Sequence, residues 1–147
     1  FSPEAHETLV RVLSDLDYSE IGVHDWYVYA LARSIGLTWV IGEESTLEYR
    51  QHGGNVQGAN SGSGARDARM AKLRNGFYRK QFILTARAAQ KVGSFDERRA
   101  RQLRAILGEL EGQGVASRLR FALRWRQIRR DPVEGLKLAA ARVLGVW

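Results

Sequence analysis

The 147-residue chain contains no cysteine, which excludes disulfides, thiolate metal sites and a cysteine nucleophile. No apolar run approaches the roughly 18 residues that can span a bilayer. The first ten residues, FSPEAHETLV, lack the charged and apolar regions of a signal peptide. We therefore expect a soluble, cytoplasmic chain. Its 44% hydrophobic and 27% charged residues are typical of one globular domain.

Charge is divided unevenly along the chain. Residues 1–64 carry three arginines against nine acidic residues, a net charge of −6. Residues 65–147 carry the other 20 basic residues against seven acidic ones, a net charge of +13. Such a basic half predicts contact with a polyanion or an anionic membrane surface.

Two helices are predicted in the acidic front half. Ser2 is a suitable N-cap, and Pro3 suits the first helical position. Apolar residues then recur at helical spacing, at Leu9, Val12, Leu13 and Leu16. A second helix should begin at or just after Asp25 and end at Gly36, a natural C-cap residue. This helix is apolar around much of its circumference, so we expect it to be buried.

The next segment predicts two strands with a tight connection. LTWVI (37–41) is apolar and β-branched, and TLEYRQ (46–51) alternates apolar with polar residues. The glycine-rich and serine-rich stretch that follows, up to residue 64, is either a flexible linker or a binding loop.

The rear half shows no strand pattern, and helices are predicted at about 65–91, 95–111, 115–130 and 133–145. SFDE (94–97) looks like a capping box, with Ser94 as the cap and Glu97 reaching back. The predicted fold class is therefore α+β and mostly helical. A front segment, 1–60, contains two helices and a short two-stranded hairpin, and a basic helical extension occupies 61–147.

Four polar residues flank the second helix and the hairpin. A helix dipole favours a carboxylate at Asp25, and a carboxylate at the rim of a pocket can act as a general base. Arg50 and His52 would share one strand face, where a cation and an imidazole beside loop amides suit a diphosphate and its divalent metal. Simpler explanations are also open. His24 and Asp25 could only cap the helix, and Arg50 and His52 could lie at a solvated strand end. The residues by themselves leave function open.

The order of these motifs along the chain resembles that of a known enzyme family. HDWYVYALARSIGLTWVIGEESTLEYRQHGGNVQGA closely resembles the C-terminal catalytic stretch of inverting family 2 glycosyltransferases, particularly bacterial rhamnosyltransferase-like enzymes of polysaccharide biosynthesis. The match covers roughly residues 1–60. It implies the C-terminal part of a GT-A type α/β domain, a nucleotide-sugar donor, and a glycan or lipid-linked acceptor.

The resemblance also implies a role for each residue of the two motifs. Asp25 would be the base that deprotonates the acceptor hydroxyl, which then attacks the anomeric carbon and inverts its configuration. His24 and Trp26 would line the acceptor side. His52 would hold a divalent metal, Mg²⁺ or Mn²⁺. The residues that would contact the donor diphosphate are Arg50, Gln51 and Asn55.

Family 2 enzymes begin with a nucleotide-binding sheet that ends in an Asp-x-Asp metal motif. This chain has no such triplet at a strand end, since Asp15-Leu16-Asp17 lies at the end of the first predicted helix. We therefore interpret the chain as the C-terminal piece of a longer enzyme and expect no transferase activity from it alone.

The basic rear leaves two readings open. A helix over 115–130 could lie on an anionic membrane with Phe121 or Trp125 at the interface, which predicts peripheral attachment at the cytoplasmic membrane face through 115–147. Alternatively, the arginines are solvated around a bundle core of Leu103, Ile106, Leu107, Leu110, Leu119 and Leu123.

Two further function classes are weaker. Nucleic-acid binding would suit the charge, but no recognisable motif supports it. A metal-dependent hydrolase could use His24, Asp25 and His52, but no histidine pair fixes two ligands on one element.

Overall fold

The computed structural model describes residues 2–40, 63–129 and 131–147. These residues form eight helices: α1 Pro3–Ser14, α2 His24–Ser34, α3 Ser63–Arg74, α4 Phe77–Val92, α5 Glu97–Glu111, α6 Val115–Leu123, α7 Trp125–Ile128 and α8 Pro132–Val143. The mostly helical class is confirmed. α1 begins as predicted, with the Ser2 hydroxyl accepting a hydrogen bond from the Ala5 N–H at 3.3 Å.

α2 ends at the glycine that the sequence predicts. Gly36 has a φ of +86°, in the left-handed region that glycine adopts without strain. Its N–H donates to the Arg33 carbonyl at 3.3 Å, and the Leu37 N–H donates to the Ala32 carbonyl at 2.9 Å, which is a Schellman motif. The buried residues of α2 are Tyr27, Leu31, Ala32 and Ser34. The helix is therefore buried as expected, but on one side of its circumference.

The predicted hairpin is not observed among the described residues. Residues 37–40, most of its first strand, adopt no strand structure. The Leu37 N–H caps α2, and the Trp39 ring packs edge-on against Tyr29 with 5.2 Å between centroids. Both contacts tie this segment to α2. The second predicted strand and the glycine-rich stretch up to residue 62 lie outside the described residues.

Two of the predicted rear helices are interrupted. The helix expected over 65–91 is divided into α3 and α4 at Gly76, which has a φ of +76°. The helix expected over 115–130 is divided at Arg124, which ends α6 and precedes α7. The Arg124 guanidinium forms a bidentate ion pair with Glu109 of α5 at 2.7 and 2.9 Å. This tertiary contact holds the junction between α6 and α7 against α5.

The predicted capping box is wrong by two residues. Asp96 is the N-cap of α5, and its carboxylate accepts a hydrogen bond from the Arg99 N–H at 2.7 Å. The Ser94 N–H donates instead to the Ser34 carbonyl at 3.0 Å. Because Ser94 is anchored to the end of α2, α5 begins only at Glu97.

α4 contributes to two hydrophobic clusters. The front cluster joins α1, α2 and α4, and its buried members are Leu9, Leu16, Ile21, Tyr27, Leu31 and Ala88. The rear cluster has as its buried members Leu110, Phe121 and Trp147, and Tyr78 and Phe82 of α4 pack against them. The acidic front and the basic rear therefore share one helix as a common wall.

The bundle core predicted for the rear is correct for α5 and wrong for α6. Leu107 and Leu110 are buried, whereas Leu119 is 48% exposed and Leu123 is 82% exposed. Phe121 is 4% exposed, so its prediction as a membrane-interface residue is also wrong. Residues two apart on a helix point in nearly opposite directions, and α6 packs through Phe121.

Arg142 of α8 is buried, with 1% of its surface exposed. Its guanidinium donates hydrogen bonds to main-chain oxygens of Glu109 (3.0 Å), Leu110 (3.3 Å), Gly112 (2.6 Å) and Trp147 (3.0 Å). Burial, with a smaller contribution from the charges of Arg79 and Arg118, lowers the pKa of Arg142. Three of the four oxygens belong to the last turn and C-cap of α5, where a helix dipole favours a cation. The side chain therefore caps one helix from another.

Arg142→Met should remove these donors while keeping much of the apolar volume. We expect the free energy of unfolding to fall by about 3 kcal/mol or more, because several buried carbonyl oxygens lose their partners. Urea denaturation followed by circular dichroism measures the change. Arg104→Met, at an exposed position of α5, is the matched control and should change stability by about 0.5 kcal/mol or less. Equal effects of the two substitutions would contradict the capping role.

Candidate functional site

The loop that leads into α2 is anchored to α4 by Gln81. Gln81 is 3% exposed. Its side-chain oxygen accepts a hydrogen bond from the Gly22 N–H at 2.8 Å, and its amide nitrogen donates to the Glu20 carbonyl at 3.1 Å. Lys80 adds an ion pair with the Glu20 side chain. α4 thus fixes the backbone that immediately precedes the predicted site residues.

Because Gly22 has no side chain, the loop before α2 can pass close to the Phe77 ring at the start of α4. A Cβ atom at this position would lie 2.8 Å from Cζ of the Phe77 ring, closer than carbon atoms pack. Any side chain at this position would therefore force the Phe77 ring at the start of α4 to move.

The predicted acceptor-side triplet lies at the beginning of α2. His24 and Asp25 are exposed, and no side-chain hydrogen bond from Val23 caps this helix end. The positive end of the helix dipole favours a negative charge at Asp25. The Trp26 ring stacks on Phe82 of α4, with 5.2 Å between centroids and an interplanar angle of 21°. The carboxylate is therefore accessible, and the neighbouring indole is held against α4.

These residues form the front wall of a cleft of about 710 Å³, a volume within the range of roughly 300–1,000 Å³ that is usual for small-molecule sites. Gly22 and Val23 complete this wall. The other lining residues belong to the basic rear half, and they are Arg69, Met70, Leu73, Tyr78, Phe82, Arg129, Glu134, Leu138 and Trp147. Both halves of the chain therefore build the cleft.

The charges on the cleft lining are balanced. Arg69 and Arg129 stand against Asp25 and Glu134, and the Glu134 carboxylate also accepts a hydrogen bond from the Lys137 ammonium group at 2.8 Å. That hydrogen bond raises the pKa of Lys137. Among the described residues, the cleft lining contains both donors and acceptors, and its arginines and carboxylates are equal in number.

The described residues include one of the two predicted motifs. His24, Asp25 and Trp26 line the cleft together. The predicted donor-side and metal residues Arg50, Gln51, His52 and Asn55 lie outside the described residues, so their roles stay predictions.

Sequence reasoning did not identify the cleft residues of the rear half. Both sequence-based readings of the basic rear place its arginines on the outer surface, either against a membrane or in solvent around a bundle core. No local pattern distinguishes Arg69 and Arg129 from the other arginines, since their place in the cleft follows from helix packing.

The described residues do not by themselves fit a divalent metal site. In the part of the chain that the structure describes, no group of three histidine or acidic side chains is arranged to hold a metal ion. The Asp17 carboxylate of the Asp-x-Asp triplet accepts a hydrogen bond from the Ser19 N–H at 2.9 Å. Hydrogen bonds from Ser19 lower the pKa of Asp17. This triplet therefore closes the turn after α1, as its position at the helix end predicts.

One known protein is similar over most of the chain. Across 128 residues, 87% of its length, the chain is 30% identical to the dTDP-rhamnosyl transferase RfbG of Shigella flexneri. The chain spans 40% of the length of that relative. No protein-family model and no solved structure matches the chain. The similarity supports a glycosyltransferase relationship, in agreement with the resemblance of the two motifs.

The similarity also reaches beyond those motifs. The front segment 1–60 can hold at most 60 of the 128 aligned residues, so at least 68 lie in the helical rear. Most of the helical rear therefore belongs to the region shared with the transferase.

Gln81→Met should release the loop before α2. The Gly22 N–H and the Glu20 carbonyl would lose their partners, and each lost hydrogen bond at this part-buried site should cost about 1 kcal/mol. We expect faster amide hydrogen exchange at Gly22, measured by NMR. Gln90→Met, at an exposed position of the same helix, should leave the exchange rate of Gly22 unchanged. Unaltered exchange at Gly22 in Gln81→Met would mean that Gln81 does not anchor the loop.

Proposed function

We propose that the chain is the C-terminal part of an inverting family 2 glycosyltransferase of GT-A type. The complete enzyme would transfer a sugar from a nucleotide-sugar donor to a glycan or lipid-linked acceptor, and the activity named for the relative suggests rhamnose carried on dTDP. The observation that carries the proposal is a cleft with Asp25 in its front wall. The similarity to a transferase does not favour a non-catalytic membrane or nucleic-acid module, and no observation favours a hydrolase.

Asp25 is the proposed general base. Its carboxylate takes the proton of an acceptor hydroxyl while that oxygen forms a bond to the anomeric carbon of the donor. The bond from this carbon to the diphosphate oxygen breaks on the opposite side, the diphosphate leaves with the electron pair, and the configuration inverts. The support is the exposure of Asp25 at the cleft and its place in the first turn of α2, where the dipole favours a carboxylate.

The other proposed roles are assigned to the remaining residues of the two sequence motifs. His24 and Trp26 are the proposed acceptor-side contacts, supported by their place beside Asp25 in the cleft. Arg50, Gln51 and Asn55 are proposed to bind the donor diphosphate, and His52 is proposed to hold Mg²⁺ or Mn²⁺ in the complete enzyme. No step of the proposed reaction is assigned to the metal.

Asp25→Asn in the complete enzyme should lower the rate of sugar transfer from dTDP-rhamnose by about 10²–10⁴-fold, the usual contribution of a general base. Donor affinity should stay within about twofold, because the acceptor-side base contributes through proton transfer and not through ground-state donor binding. Transfer is measured with radiolabelled donor and affinity by calorimetry.

Asp15→Asn is the matched control, because this exposed carboxylate lies outside the cleft. It should leave both quantities unchanged. Normal transfer by Asp25→Asn, or lost donor affinity with normal chemistry, would refute the assigned role.

We also propose an anionic membrane surface as a partner of residues 115–147. α6 exposes Val115, Leu119 and Leu123 together with Arg120, a combination that suits insertion among anionic headgroups. Among the described residues, no helix is long and apolar enough to cross a membrane. The proposed contact is therefore made at the membrane surface by side chains that the bundle leaves uncovered.

The chain should float with liposomes containing anionic lipid at low salt and should be released at about 0.5 M salt, where the Debye length is only a few ångströms. Leu119→Glu with Leu123→Glu should abolish flotation. Val10→Glu, which changes an exposed apolar residue of α1, should not. Absence of wild-type flotation at low salt would end the membrane proposal.

A further inference from the structure

We infer that the basic helical rear forms the second wall of the acceptor site, and that this site binds a neutral oligosaccharide through Tyr78 and Arg129 as well as Trp26. The inference rests on the proposed function, since it assigns the cleft to the acceptor of that reaction. It adds residues of the rear half, which neither motif contains, to the site.

The first argument is the continuity of the aromatic floor. The Trp26 ring contacts both Tyr78 and Phe82, with centroid distances of 5.9 and 5.2 Å. Phe82 in turn packs edge-on against Trp147 at 5.9 Å. Trp26 is 36% exposed. A sugar ring presents an apolar C–H face, which can pack on an exposed aromatic face, and this floor extends from the residue beside Asp25 into the rear half.

The second argument is size. The cleft, at about 710 Å³, falls in the usual range for ligand sites of roughly 300–1,000 Å³. A neighbouring cavity of about 160 Å³, lined mainly by apolar residues, lies behind Phe82 and Trp147, and it is below that range. Of the two spaces, the cleft is large and polar enough for more than one sugar unit.

The third argument is charge, which separates a neutral acceptor from an anionic one. Two arginines and two carboxylates line the cleft, so an anionic ligand would meet repulsion from Asp25 and Glu134 as well as attraction. Hydroxyl groups, in contrast, both donate and accept hydrogen bonds and can use carboxylate and guanidinium groups together. Arg129 is exposed, and no ion pair to it is found among the described residues. Its donors are available to a ligand hydroxyl.

The fourth argument is that most of the helical rear lies within the region of similarity to a rhamnosyl transferase. At least 68 aligned residues fall beyond residue 60. A 128-residue stretch of this 147-residue chain must include residues 20–128. The part of the wall contributed by α3 and α4 therefore lies within the shared region, as a substrate-binding wall would.

The test uses the indole N–H signals of the 147-residue chain in ¹H–¹⁵N NMR spectra. The chain has four tryptophans; Trp26 and Trp147 line the cleft, whereas Trp39 and Trp125 do not. The probes are neutral disaccharides of rhamnose, glucose, galactose and N-acetylglucosamine, and disaccharides of the same size that contain a uronic acid. We expect at least one neutral probe to shift the Trp26 and Trp147 signals with saturation, while Trp125 stays unchanged.

Variants then assign the wall. Arg129→Ala should weaken binding of that neutral probe by about tenfold, the size expected for a lost hydrogen bond to a charged group. Tyr78→Phe, which removes only the hydroxyl, should weaken it by a smaller factor. Arg120→Ala, an exposed arginine outside the cleft, should have no effect. Comparable spectra of the variants without probe establish that each is folded.

Three outcomes would overturn the inference. These are no response to any probe, a response only to the uronic-acid probes, and neutral binding that Arg129→Ala leaves unchanged. The proposed function is tested separately by sugar transfer from dTDP-rhamnose in the complete enzyme. A transferase whose cleft binds no neutral sugar refutes this inference alone, and a sugar-binding chain without transferase activity in the complete enzyme refutes the function.

Discussion

Arg142 places a positive charge in the interior, where a cation is tolerated only when its donors are satisfied. Its partners are main-chain oxygens at the end of α5 and at Trp147. α5, α8 and the C-terminal turn therefore cannot shift independently without unpairing the guanidinium. Trp147 packs against Phe82, and Phe82 stacks on Trp26. The position of the cleft floor beside the proposed base thus depends on one buried side chain far from the motif itself, whose two terminal nitrogens are hydrogen-bonded to main-chain oxygens.

α4 connects this constraint to the front half. It contributes Ala88 to the front cluster, Phe82 and Tyr78 to the rear cluster, and Gln81 to the loop before α2. The N-terminal end of α2 is consequently held by hydrogen bonds on one side and by stacked rings on the other. Asp25 can then be exposed without being loosely placed, because the backbone on which it sits is anchored at Gly22. A proposed acceptor site assembled in this way needs both halves of the chain.

The sequence predicted the front helices correctly but did not show that arginines of the rear half line the cleft. The spacing of apolar residues and the caps at Ser2 and Gly36 gave α1 and α2 correctly, because these signals act within a few residues of one another. The expected strand at 37–40 was wrong, since its β-branched residues are outweighed by contacts with α2. The arginines of the rear were interpreted as a surface feature, although two of them line the cleft. Local pattern cannot show which members of a charged set face inward.

The sequence by itself determined the helical class, the divided charge and the motif around Asp25, because these are carried by residue type and short spacing. The relationship to glycosyltransferases comes from the similarity of the sequence to a known transferase. Only the tertiary structure decided that the basic rear packs against the front, that Phe121 and not Leu123 faces the core, and that Arg129 and Asp25 share a cleft. Asp25 and Arg129, which line the same cleft, are 104 positions apart in the sequence, so these outcomes depend on contacts between distant segments. Such contacts are selected by the packing of whole helices and not by the properties of any one segment.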